Sequence, residues 1–169
     1  ELNITHGQFG TIYAVATICS SLVLIWFGKK IDDIKIFNYS LIVIGILFFS
    51  SILFSLIMNI YILAIAIFMM RFSGQGLMSH TSSTTVSRYF NKRRGRALSG
   101  IWFGLSSAEF ILPILIIFFL NIYSWRTIWH FISLFIIIIL PIVVIYTIKN
   151  ITIETREDEN LHENKKNFK

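Results

Sequence analysis

Apolar residues in this chain neither alternate with polar ones nor recur at helical spacing; they come in unbroken runs separated by short polar stretches. Five such runs lie near residues 10–27, 36–58, 60–79, 98–120 and 127–148. Each holds roughly 18 to 25 residues, the number that crosses ~30 Å of hydrocarbon at ~1.5 Å per residue. A soluble bundle needs a polar stripe along each helix, and the stretch LIVIGILFFSSILFSLI from Leu41 has none. The pattern therefore predicts an all-α membrane bundle of five spanning helices. The breaks alternate in character: GKKIDDIK is charged, MNIY short and neutral, SRYFNKRRGR strongly basic and NIYSWR short, and a charged tail follows from Lys149.

Composition strengthens the reading. Hydrophobic residues make up 55% of the chain and charged ones 14%, a balance suited to the lipid bilayer rather than to water. All but two of the 15 Lys and Arg gather on one side of the predicted spans: Lys29, Lys30, Lys35, Arg88, Lys92, Arg93, Arg94, Arg96 and the tail's Lys149, Arg156, Lys165, Lys166 and Lys169. Arg126 alone lies on the other side, and Arg71 lies within a span. By the positive-inside rule the basic side is cytoplasmic and the amino terminus is outside. One further helix before Glu1 would complete an even-numbered bundle, and residues 149–169 read as a charged cytoplasmic linker. Flanked by spans, the run RYFNKRRGR is a topology signal that meets anionic lipid headgroups rather than nucleic acid. The single Cys19 allows no intrachain disulfide. His6, His80, His130 and His162 are too scattered for a metal site, and no cofactor motif or enzyme-like His, Asp or Ser constellation is spelled.

Candidate chemistry sits where the apolar runs are interrupted. Arg71 falls about eleven residues, ~16 Å, from the outer end of its span, near the bilayer midplane. An arginine there costs ~3 kcal/mol on insertion scales, so it should face a cavity or a partner rather than lipid. On an α-helical wheel Arg71, Gly74, Gln75, Met78 and Ser82 share one face, with Ser79 and Ser83 beside it, and this polar wall is the expected cavity lining. On the same wheel His80 falls half a turn from Arg71 and packs on another helix near the cytoplasmic end. In the next span Gly100, Gly104 and Ala108 form a small-residue packing face, with Pro113 beyond. Glu109 follows them at a depth of ~18 Å, again near the midplane. A cation and a carboxylate at similar depth suggest either a static pair or a proton-coupling pair.

These features together resemble the amino-terminal half of the major facilitator superfamily. They are Gly28 through Asp32 after the first span, Arg71 with Gly74, Gln75 and Gly76, the basic stretch ending RRGRA, and Trp125-Arg126 before the last span. The resemblance runs from about Gly7 to Ile148 over family helices two to six, and its flavour is that of bacterial monocarboxylate-transporter-like members. It implies a first helix and a second half of the same transporter as partners, and a multi-pass protein of the bacterial inner membrane. It also implies alternating access about a midplane site. Gly28 and Asp32 fit the family's gating loop, although Asp33 stands for its basic residue and Lys35 for its second glycine. Glu109 occupies the place of a proline found in drug/proton antiporters, which points away from that branch. The expected function is symport of a small organic anion, such as a monocarboxylate, with a proton, through Arg71, Gln75 and Glu109. An efflux transporter of the same superfamily and a non-transporting membrane scaffold or sensor are the alternatives.

Overall fold

The computed structural model describes Leu2, residues 4–89 and residues 94–148. Among the described residues the regular structure is entirely helical: α1 (His6–Asp33), α2 (Ile36–Ser55), α3 (Ile60–Met70), a π-helical stretch (Arg71–Met78), α4 (Ser79–Tyr89), α5 (Arg94–Leu120) and α6 (Trp125–Ile148). Because α3, the π-helical stretch and α4 run on without a break, five helices are long and apolar enough to cross a membrane, as the five apolar runs require. In hydrocarbon a helix satisfies its own backbone, so long apolar runs without water contact have this one solution.

Local signals set the ends. Thr5 and Gln8 form a capping box at the start of α1, with Gln8 N donating to Thr5 Oγ1 and Thr5 N donating to Gln8 Oε1. Asn59 caps α3 by accepting from the Ile62 amide at 2.9 Å. Two boundaries differ from the sequence expectation. Gly28 and Asp32 lie not in a loop but in the last turns of α1, where the single glycine is tolerated, no proline intervenes and the helix runs on to the extended Ile34. The third span also continues well past Ser79, since its hydroxyls return to the helix: Thr81 donates to the Leu77 carbonyl, Ser82 to Met78 and Thr85 to Thr81. The tail from Lys149, with Lys92 and Arg93 of the basic loop, lies outside the described residues.

α2 forms the centre. On one side it packs along α6 through Ile44, Ile136 and Val144, with the Phe54 and Trp129 rings 4.5 Å apart. On the other it meets α3 and the π-helical stretch, where Ser50 and Ser73 are fully buried with hydroxyls 3.1 Å apart. Small hydroxyl residues let backbones approach closely, which replaces the hydrophobic drive that lipid does not supply. α1 lies against the far side of α3 and the π-helical stretch, and α5 touches mainly its chain neighbours α4 and α6. Two arginines show the alternation of ends. Arg88 near the close of α4 reaches Asp32 at the close of α1, whereas Arg126 at the start of α6 donates to the Ile57 carbonyl just beyond α2, at 3.2 Å.

Candidate functional site

The interruption at Arg71 has a backbone counterpart. The segment RFSGQGLM is π-helical, a wider coil that advances through less rotation per residue than the α-helix. Two glycines and a serine ease that geometry by removing side-chain crowding. Its consequence is a change of phase, so that residues which an α-helical wheel separates come to one face. Arg71 and His80 both meet α1: the arginine meets Thr17 and Tyr13, and the imidazole meets Gly28. The expectation that His80 packs on a neighbouring helix holds. Its half-turn separation from Arg71 does not, because nine residues at ~100° each overstate the rotation through a π-helical stretch.

α1 and the third span run parallel, and their contact is a polar seam. Along α1 the positions Tyr13, Thr17, Ser20, Ser21, Leu24, Gly28 and Asp32 recur every three or four residues, which is one helical face. Opposite them, in order, come Arg71, Gln75, Gly76, His80, Thr84 and Arg88.

At the inner end of this seam, Arg71 Nε donates to Thr17 Oγ1 at 3.2 Å, and the Arg71 guanidinium lies over the Tyr13 ring at 4.6 Å. Thr17 is held for this task. Its own hydroxyl proton goes to the Tyr13 carbonyl at 2.7 Å, so a lone pair is left for the guanidinium. A cation–π contact of up to ~2 kcal/mol and a hydrogen bond of ~1 kcal/mol are together comparable to the ~3 kcal/mol cost of placing arginine at this depth. Among the described residues no acceptor meets the two Nη groups. Arg71 itself lines a groove of about 230 Å³ together with Thr17, Ser20, Ser21, Leu24, Gln75 and Gly76.

Arg71 and Gln75 thus share the groove as the sequence suggests, and other expected members do not. A Cβ on Gly74 would lie 3.5 Å from Leu47 Cδ1, so this position faces α2. Met78 packs on the apolar cluster of Ile31, Tyr39, Val43, Phe72 and Leu77. Ser79 is half-buried at the start of α4, and Ser82 spends its proton on its own helix. The π-helical phase shift accounts for these departures. It brings Gly76 to the groove instead, where a Cβ would stand 3.3 Å from Leu24 Cδ1.

Glu109 is exposed near the middle of α5 and does not reach Arg71, so the suggested direct pair is absent among the described residues. Gly100 and Gly104 have nothing within 4 Å of an added Cβ, Ala108 is half-buried and Pro113 is exposed. The close packing expected of that face is therefore not made at Gly100 and Gly104 with any described residue, because α5 leans mainly on α4 and α6. The residues that sequence reasoning missed are Tyr13, Thr17, Ser20 and Ser21. Their spacing was a usable signal, hidden by the hydrophobicity of the positions between them.

At the other end of the seam Arg88 forms an ion pair with Asp32 and donates to the Ile31 carbonyl, tying α4 to the last turn of α1.

No curated protein and no solved structure matches the chain significantly. The family model described as Major Facilitator Superfamily matches residues 1–168. Five spanning helices, a midspan arginine over a polar groove and a match across nearly the whole sequence lead to one assignment: the chain belongs to the major facilitator superfamily of membrane transporters.

Proposed function

We propose that this chain supplies the anion-holding wall of a secondary active transporter that carries a small organic anion, a monocarboxylate, together with a proton by alternating access. The observation that supports this reading is the state of Arg71. Its guanidinium lies over the Tyr13 ring and its Nε is engaged by Thr17, while among the described residues its Nη groups meet no acceptor and the residue lines a hydroxyl-bearing groove. That edge matches a carboxylate in two parallel hydrogen bonds, and its strength grows where water is sparse. Gln75 adds a neutral amide, and Ser20 and Ser21, whose hydroxyl protons go to the Thr17 carbonyl, add acceptor lone pairs for the remainder of a small polar solute. A scaffold or sensor has no need for an arginine held open at this depth, and the reading favours a monocarboxylate-like member over an antiporter because Glu109 replaces the antiporter proline.

Glu109, near the middle of its helix, is the proposed coupling carboxylate: protonated it is neutral, and ionised it competes for a cation. The test is transport of radiolabelled short monocarboxylates by the full-length protein in sealed vesicles under an imposed pH gradient. Arg71→Lys lowers both exchange and accumulation, since an ammonium does not reproduce the planar fork. Glu109→Gln retains exchange and loses gradient-driven accumulation. Unimpaired exchange in Arg71→Lys, or transport confined to cations and neutral solutes, overturns the anion reading, and normal accumulation in Glu109→Gln removes Glu109 from coupling.

A further inference from the structure

We propose that His80 is a second protonation site, a port through which a proton enters the α1–α4 seam from the end held by Asp32 and Arg88. The imidazole forms a wall of a cavity of about 350 Å³ whose polar lining is Ser21, Lys29, Asp32 and Thr84. Gly28 of α1 lies beside the ring. A Cβ there would lie 3.6 Å from His80 Nε2, so α1 passes the ring with ordinary contact and no side chain between. Nδ1, by contrast, is buried and has no hydrogen-bond partner among the described residues.

A neutral imidazole offers one N–H and one lone pair, and both nitrogens become donors once a proton is added. The proton is delivered by hydronium through the cavity water: one O–H bond of the hydronium breaks as the N–H bond forms, and neutral water is left. The charged groups that line the same cavity are Lys29 and Asp32 from α1. Arg88 of α4 is engaged by Asp32 and the Ile31 carbonyl, and from α2 the Tyr39 hydroxyl is committed to the Phe27 carbonyl at 3.0 Å. Asp32, the carboxylate that lines the cavity, is already paired with Arg88. Charging the ring also makes Nδ1 a donor in need of an acceptor that the closed seam does not supply, so proton uptake favours a looser seam.

This cavity and the Arg71 groove share Ser21 and Leu24 as walls. The Leu24 methyl groups lie 3.3 and 3.4 Å from where a Cβ on Gly76 would stand. His80 thus lines a cavity that adjoins the groove through these shared walls. The protonation site stands on this geometry alone, and its service to coupling rests on the reading proposed above.

The experiment follows proton uptake by the full-length protein in lipid nanodiscs without any substrate, so its outcome is separate from that of the anion assay. On acidification from about pH 8 to about pH 5, the range in which histidine charges, the wild-type chain takes up one proton more than His80→Gln. Equal uptake overturns the proposal. A measurement on the unmutated chain guards against misfolding of the variant: labelling serine carbonyls and histidine nitrogens selects the Ser79–His80 pair, whose signal moves over the same range. A pH-invariant signal overturns the proposal. Sidedness is read with His80→Cys in a Cys19→Ser background, where a membrane-impermeant thiol reagent reacts from the Lys29 side of sealed vesicles. Reaction only from the Tyr123 side, or from neither, overturns the port.

Discussion

The Arg71 guanidinium stands 4.6 Å from the centre of the Tyr13 ring, and one helical turn further along α1 the Thr17 hydroxyl accepts from its Nε. Two residues on one face of one helix thereby fix the plane of a cation that a lipid interior would otherwise exclude. An oriented guanidinium binds a planar anion with less loss of side-chain freedom than a mobile one.

Tyr13→Leu removes the ring beneath the cation. A contact worth ~0.5–2 kcal/mol corresponds to a loss of about 2- to 30-fold in anion affinity. Tyr13→Phe keeps the ring and should stay near wild type. Half-saturation of anion exchange in proteoliposomes separates the two, and equal losses in both variants would show that the hydroxyl matters rather than the ring.

Thr17→Val removes the acceptor at Nε while nearly preserving volume. With a hydrogen bond worth ~1 kcal/mol, exchange should weaken about fivefold. Thr17→Ser restores it, because the serine hydroxyl can donate back to the Tyr13 carbonyl and still accept. The same half-saturation measurement reads this, and a Thr17→Ser protein as impaired as Thr17→Val would refute the acceptor role.

Gly76→Ala and Gly28→Ala differ in expected cost. The added methyl at residue 76 meets Leu24 Cδ1 at 3.3 Å and the Arg71 carbonyl at 3.5 Å, whereas at residue 28 it meets only the His80 ring at 3.6 Å and beyond. Thermal unfolding in detergent should show Gly76→Ala destabilised by ~1–3 kcal/mol and Gly28→Ala nearly neutral. Adding Leu24→Ala to Gly76→Ala recovers part of the loss, and strict additivity of the two changes would place the strain elsewhere.

Asp32→Asn and Arg88→Gln break an ion pair whose carboxylate side is largely exposed. Stability should change by no more than ~1 kcal/mol, as for other exposed pairs. Accessibility of the seam should change more. A cysteine at Thr84 in a Cys19→Ser background reacts faster with a soluble thiol reagent when either partner is removed. Restored protection in the reversed pair, Asp32→Arg with Arg88→Asp, checks that the pair itself closes this end.

Length and hydrophobicity determined the spans. Five runs too apolar for water and long enough for a bilayer leave the backbone no alternative to helices, and the family's charged landmarks between them were legible as text. Arg71 was legible for the same reason, since a charge inside such a run carries a cost that only a function or a partner offsets. What the sequence by itself did not decide is where those side chains point. A wheel drawn at ~100° per residue put Gly74, Met78 and Ser82 beside Arg71 and sent His80 away. Tertiary structure placed Gly74 against α2 and Met78 in the apolar cluster, and brought His80 onto the Arg71 side, because Arg71–Met78 coils as a π-helix. Likewise Arg71 and Glu109 share a depth in the sequence, but depth along a helix says nothing of which helices are neighbours. The arginine's partners came from α1, at Tyr13 and Thr17, because α1 rather than α5 packs against the π-helical stretch.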